Sequence, residues 1–154
     1  MQNLVFVCTG NTCRSNVAEV LAVQASAQLG LMQWRFSSAG IMAFPGSPAS
    51  ENSLRAMQEL GLDLSAHRAT QLDTSLIEGA DLILTMTQSH KTQILDSYPS
   101  VDSKVYTLLE YAYGQPGQVE DPFGRDIETY RRTSAQIKQA VYKVVEKLRD
   151  IEQV

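Results

Sequence analysis

The sequence predicts an α/β fold in one domain, a three-layer sandwich with a parallel sheet between two layers of helices. Three observations lead there. Four short apolar runs alternate with longer amphipathic stretches, which is the pattern of successive βαβ units. A chain of 154 residues has the size of one domain, large enough to bury roughly two-thirds of the surface its unfolded form exposes. Hydrophobic residues at 44% and charged residues at 19% are ordinary globular values. They exclude disordered, collagen-like and low-complexity scaffolds.

Leu4 to Val7 is an apolar run bounded by Thr9-Gly10-Asn11, and it reads as a buried strand. From Asn16 to about Leu29 the chain favours a helix. Val17, Leu21, Ala25 and Leu29 recur every fourth residue on one apolar face, and Gly30 suits the C-cap. Trp34-Arg35-Phe36-Ser37 reads as a second strand, with Trp34 in the core. Gly40 to Ser50 holds two prolines and two glycines, so it is a surface loop. Ser47 or Ser50 caps a helix containing Leu54, Met57 and Leu60, closed by Gly61. Leu82-Ile83-Leu84, within Asp81 to Met86, is a third strand, and Thr87 caps a helix running to about Asp96. Val105 to Leu108 is a fourth strand, and Tyr111 to Phe123 is a long loop. Asp126 caps the last helix, whose stripe is Ile127, Tyr130, Ile137, Val141, Val144 and Leu148. Right-handed crossovers place helices on both sheet faces. Ligands of such sheets sit beyond the carboxyl ends of the strands.

Charge and cysteine content narrow the function. Thirteen Lys and Arg against seventeen Asp and Glu leave a net charge of -4, which disfavours a nucleic-acid binder with a broad basic face. No positive segment precedes Leu4–Val7, and no run approaches the ~18 apolar residues of a membrane span. The expectation is a soluble cytoplasmic protein with no membrane partner. Cys8 and Cys13 are too few for a secreted disulfide framework. His67 and His90 complete no familiar zinc spacing, so neither metal nor cofactor is expected. His90 has no evident partner and is placed on the surface. Arg131, Arg132, Lys138 and Lys143 fall on the polar face of the last helix, a solvated surface.

The first strand-to-helix turn carries the chemistry: Cys8-Thr9-Gly10-Asn11-Thr12-Cys13-Arg14-Ser15. A thiol ends strand one, and an arginine and a hydroxyl begin helix one. Gly10 and Asn11 tolerate turn and left-handed backbone, so successive N–H groups can point inward as an anion nest. The helix dipole adds positive potential, and Arg14 adds a fork for two phosphoryl oxygens. Helix N-termini also favour thiolate over thiol. Thiolate and oxyanion cradle in one loop suit attack on phosphorus. Neither G-x-x-x-x-G-K-[ST] nor G-x-G-x-x-G is present, so ATP and dinucleotides are not indicated. A displaced group needs a proton, and Asp121-Pro122 ends the long loop after strand four. Alone, Asp121 reads as a turn aspartate; beside the Cys8 loop it reads as an acid.

These motifs resemble the low-molecular-weight protein-tyrosine phosphatase family. The matching residues are V-F-V-C-T-G-N-T-C-R-S at 5–15, S-S-A-G at 37–40, A-H-R-A at 66–69 and D-P-F-G at 121–124. Their order and spacing match across nearly the whole chain, 1–154. The resemblance implies a four-stranded parallel sheet flanked by helices and a two-step reaction through a phosphocysteine. By position it makes Cys8 the nucleophile and Arg14 the phosphoryl ligand, with Thr9, Gly10, Asn11, Thr12 and Cys13 in the phosphate-binding loop. Ser15 would donate to the thiolate, Asn11 with Ser38 and His67 would hold the loop, and Asp121 would act as acid and then base. A Cys8–Cys13 disulfide would protect the oxidised nucleophile.

Three departures from the family pattern stand out, and the first two bear on substrate. Thr12 stands where the tyrosine phosphatases carry a bulky aliphatic residue. Phe123-Gly124 stands where they carry consecutive aromatics. Both resemble the bacterial protein-arginine phosphatase branch, in which the threonine is associated with phosphoarginine selection. A guanidinium is planar, cationic and rich in donors; Thr12 offers it an acceptor. Asn16 replaces a proline at the start of the helix, removing some pre-organisation. Met42 and Phe44 either wall the entrance with Phe123 or pack their loop down. The leading expectation is a metal-free protein phosphatase preferring phosphoarginine, with phosphotyrosine as the alternative. Its partners would be phosphorylated proteins, its inhibitors phosphate, sulfate or vanadate, and its state monomeric. Arsenate reduction lacks its usual cysteine relay here. A non-catalytic phospho-residue binder does not explain Cys8, Arg14, Ser15 and Asp121 together.

Overall fold

A computed structural model describes residues 1–153; Val154, the last residue of the expected domain, lies outside the described residues. Four strands form one sheet in the order β2-β1-β3-β4: β1 (Gln2–Cys8), β2 (Trp34–Gly40), β3 (Leu82–Thr85) and β4 (Val105–Thr107). Every pairing is parallel, with Val5 opposite both Ser37 and Ile83, and Ile83 opposite Val105. A parallel sheet is covered on both faces, which is why its strands are apolar runs rather than alternating ones. The two-residue period still sorts β1. Leu4, Phe6 and Cys8 enter one core with Leu21, Met57 and Val141, while Val5 and Val7 enter another with Ile77, Ile83 and Ile94.

The first core lies under α1 (Ser15–Leu29), α2 (Glu51–Glu59) and α6 (Ile127–Glu152). Helix α1 ends at Gly30, whose φ of 77° is left-handed. Helix α2 is capped by Ser50, which accepts from Ser53 N, and not by Ser47. Leu60 follows the helix and is exposed, so it does not extend the buried face of Met57. Helix α6 begins behind Asp126, which accepts from Thr129 N. On its polar face Arg131 pairs with Glu59 and Glu128, and Arg132 with Glu120 at 2.8 Å. These cations therefore tie α6 to α2 and to the loop before Asp121 rather than only facing solvent. Trp34 is half-buried at the edge strand β2, against the first core.

The second core lies under α3 (Thr74–Gly79) and α4 (Gln88–Ser97). Helix α3 was not expected; six residues are too few to show a helical period, although Asp73 caps it through Leu76 N. Thr87 caps α4 as read from sequence. A 3-10 helix at Pro99–Lys104 precedes β4.

The stretch after β4 corrects the reading. Leu108 is not strand, and the chain does not enter a loop at Tyr111. Leu108–Tyr113 forms α5, started by a reciprocal capping box between Thr107 and Glu110 and ended by Gly114 at φ 72°. A buried Leu after β-branched residues looks like a continuing strand. The box, which satisfies two orphan N–H groups, turns it into a helix.

Candidate active site

Between Cys8 and Ser15 the chain coils around its own amide groups at the carboxyl end of β1. The turn needs a left-handed residue, and Asn11 supplies it at φ 60°, the only non-glycine with positive φ among the described residues. The fully buried Asn11 side chain is saturated. Its Oδ1 accepts from Thr70 N at 2.9 Å, and its Nδ2 donates to Ser15 Oγ at 2.8 Å and to Ser38 Oγ at 2.9 Å. His67 Nε2 lies 2.6 Å from the Asn11 carbonyl. Ser38 then donates to Glu19 Oε1 at 2.7 Å. Glu19 was not foreseen, because only the sheet brings β2 against α1.

This network has a direction. Ser15 Oγ accepts from Asn11 Nδ2 and lies 2.9 Å from Cys8 Sγ and 3.4 Å from the Ala39 carbonyl, so its own hydrogen has the sulfur as its nearer acceptor. Asn11 N donates to the same sulfur at 3.2 Å. Two donors on one buried sulfur stabilise negative charge there.

Three further contacts fix the outside of the loop. Ser50 N donates to the Thr12 carbonyl at 3.0 Å, and Ser53 Oγ to the Cys13 carbonyl at 3.1 Å, both from the start of α2. Asn16 Nδ2 donates to the Thr12 carbonyl at 2.9 Å while its Oδ1 accepts from Val17 N. The side-chain amide thus anchors the loop where a proline could not. Gly40, at the end of β2, touches the other side. A Cβ there would lie 2.5 Å from the Thr9 carbonyl oxygen and 3.0 Å from Asn11 N.

Arg14 is buried beside the loop. One terminal nitrogen donates to the Val119 carbonyl at 3.2 Å, and the other stands 3.6 Å from Asp121 Oδ2. Its Nε is buried without a partner among the described residues, which marks a donor kept for something other than the protein. Asp121 is half exposed and turns over Phe123 N at 3.1 Å. The preceding segment is moored by Val119 N to the Met86 carbonyl at 2.9 Å. A cavity of about 220 Å³ is lined by Cys8, Thr9, Gly10, Thr12, Cys13 and Arg14 of the loop together with Asp121 and Phe123. A larger hollow of about 530 Å³ around Trp34, Tyr106 and Leu148 lies at the amino ends of the strands and holds neither thiol nor arginine. Among the described residues no group of three or more His, Cys, Asp or Glu is placed to hold a metal ion, and no helix is long and apolar enough to cross a membrane.

Residues 3–154 match the family model of the low molecular weight phosphotyrosine protein phosphatases. The chain belongs to this family. It is 37% identical over 147 residues to a protein-arginine-phosphatase of Bacillus subtilis (strain 168), covering 96% of this chain and 97% of that protein. A low molecular weight protein-tyrosine-phosphatase PtpB of Staphylococcus haemolyticus is also 37% identical, over 92% of this chain and 96% of the relative. A solved structure of the YwlE arginine phosphatase, a Cys-to-Ser mutant with a phosphorylated active-site serine, superposes with a TM-score of 0.94 at 34% identity and covers 99% of both chains. The protein is a cysteine-dependent protein phosphatase working through a phosphorylated enzyme.

Two expectations for this phosphatase need correction. Met42 and Phe44 neither line the cavity nor pack down; they are 75% and 82% exposed, and of the three named hydrophobics only Phe123 borders the cavity. His90 is not on the surface. It is buried, with Nε2 2.9 Å from Thr9 Oγ1 and Nδ1 3.0 Å from Thr87 Oγ1. Burial, with the Arg14 charge nearby, holds its pKa down to about 4, against a smaller upward pull from Asp121. Thr87 was legible as a cap, and a histidine three residues into a capped helix was the signal missed. Cys13 is a buried free thiol, 3.4 Å from Tyr130 Oη. Burial and that contact push the Tyr130 hydroxyl up to about 12.

Proposed function

We propose that this phosphatase removes phosphate from arginine side chains of proteins. Cys8 sulfur attacks phosphorus, the N–P bond breaks, and Asp121 protonates the departing guanidine nitrogen. Asp121 then takes a proton from water, which displaces the Cys8 sulfur and releases inorganic phosphate. Arg14 and the amides of residues 9–15 hold the phosphoryl oxygens, and Ser15, Asn11, Ser38 and His67 keep the loop in shape. Residues 1–154 act as one domain. The protein is a cytoplasmic monomer, competitively inhibited by phosphate, sulfate or vanadate, and Cys13 is the thiol that traps oxidised Cys8.

The observation that carries the substrate choice is Thr12. It lines the same cavity as Asp121, so the walls include a hydroxyl acceptor and a carboxylate suited to a planar cation. The arginine phosphatase relatives support the same choice. Phosphotyrosine is the second reading, favoured by Phe123, which is 74% exposed at the rim and free to stack on a ring.

The test compares phosphoarginine and phosphotyrosine peptides of one sequence. Arginine preference is expected, with Thr12→Ile raising the tyrosine-to-arginine ratio of kcat/KM about tenfold, the effect of one contact of ~1–2 kcal/mol. A wild-type preference for phosphotyrosine, or a ratio indifferent to Thr12, would remove the reason for choosing arginine.

A further inference from the structure

The buried imidazole of His90 lies against the Cys8 loop, and the reaction scheme leaves it unused. It reaches the loop from α4, across the sheet from β2 and α2, and meets it at Thr9, the residue after Cys8. We propose that His90 is a positioning residue, whose Nε2–H occupies the acceptor side of the Thr9 hydroxyl and so turns that hydroxyl into a donor for the bound phosphoryl anion. The inference rests on reading the Cys8 loop as the phosphate cradle.

Hydrogen-bond economy assigns the tautomer. Thr87 Oγ1 already accepts from His90 N at 3.2 Å as the cap of α4. Its own hydrogen needs an acceptor, and His90 Nδ1 lies 3.0 Å away. Nδ1 is then the unprotonated nitrogen and Nε2 carries the proton towards Thr9. The opposite tautomer would give Thr87 two donors to accept and leave its own proton idle. With the pKa of the ring near 4, it is neutral at working pH and has one N–H to place. Arg14 and Asp121 are the charged groups acting on it. Lys91, next along α4, is engaged with Glu110 at 2.8 Å. Thr85 Oγ1 donates to the Thr87 carbonyl at 2.8 Å, which fixes the start of α4 to β3. Thr9 is exposed and borders the cavity shared with Arg14 and Asp121. Once its oxygen is filled from behind, its hydrogen is left for the front. An unpinned threonine hydroxyl would have to be ordered by the anion itself, whereas the histidine sets its direction beforehand.

The test is the competitive inhibition constant of inorganic phosphate against an aryl phosphate, with melting temperature measured separately. Thr9→Val and His90→Leu are each expected to weaken phosphate about tenfold, the scale of a hydrogen bond to a charged group. The double variant should be no weaker than Thr9→Val alone, because the histidine acts only through that hydroxyl. His90→Gln, whose amide N–H reaches a similar point, should recover most of the affinity and stands in if the leucine variant does not fold. Losses that multiply in the double variant, failure of His90→Gln to recover affinity, or phosphate bound as tightly by Thr9→Val as by wild type would overturn the proposal. Wild-type enzyme indifferent to phosphate would instead overturn the cradle itself.

Discussion

Gly40→Ala tests whether the loop conformation is set by contact with β2. The added methyl would stand 2.5 Å from the Thr9 carbonyl oxygen, and ordinary contact starts at 3.4 Å, so something must move by about 0.9 Å. Gly40 cannot retreat easily. Its N–H donates to the Thr70 carbonyl at 2.9 Å, and its own carbonyl accepts from Leu72 N at 2.9 Å. The obstacles on the other side are backbone atoms of Thr9, Gly10 and Asn11, with no flexible side chain to swing away. The loop must shift, and its bond from Met42 N to the Thr9 carbonyl lies directly in the path. Gly40 is not among the positive-φ glycines, so the cost is steric rather than conformational. Overpacking of this kind costs about 1–3 kcal/mol, which lowers Tm by roughly 2–4 °C per kcal/mol at this chain length. The effect on catalysis is larger, since a displacement near 1 Å can cost about 10²-fold. Steady-state kinetics on an aryl phosphate should show kcat/KM down by about 10², with weakened phosphate inhibition and a cooperative melt retained. Activity within threefold of wild type, with phosphate affinity unchanged, would refute the claim that β2 holds the loop to sub-ångström tolerance.

Other substitutions separate binding from chemistry. Cys8→Ser should abolish turnover while phosphate still raises Tm, by an amount equivalent to about 2.7 kcal/mol at a hundredfold excess over Kd; substantial residual turnover would count against Cys8. Asp121→Asn should slow release of poor leaving groups by ~10²–10⁴-fold and spare good ones, read from a series of aryl phosphates; a uniform, small effect moves the acid elsewhere. His90 predicts a pH dependence of stability. Its folded pKa, about 4, lies below the ordinary 6.5, so the unfolded chain binds the proton more readily between those values. The contribution is present above pH 6.5 and lost as pH falls towards 4, on the order of 3 kcal/mol. Urea titrations from pH 7 to 4 should show that decline in wild type and a shallower one in His90→Gln; parallel curves would contradict it.

The most local parts of the molecule were the most legible. A buried strand, a turn rich in Gly and Asn, and an amphipathic helix follow each other within Leu4 to Leu29, so Cys8, Arg14 and Ser15 could be placed around one strand-to-helix turn from spacing alone. Thr87 and Asp126 were readable as caps because capping acts within three residues. The short helices α3 and α5 escaped, because six residues hold less than two turns.

Glu19 behind Ser38, Asn16 under the Thr12 carbonyl, Gly40 against Thr9 and His90 beneath the cradle belong to a different class. Glu19 and Gly40 are silent in their own neighbourhood of the chain, while Asn16 at a helix start and His90 three residues past a cap carry only a local hint. Three of the four matter through segments that become neighbours only when parallel strands pair and helices close over them. Periodicity and capping are short-range, so they report where strands and helices begin. Which distant backbone atom a side chain meets depends on register and packing, and those are properties of the assembled fold.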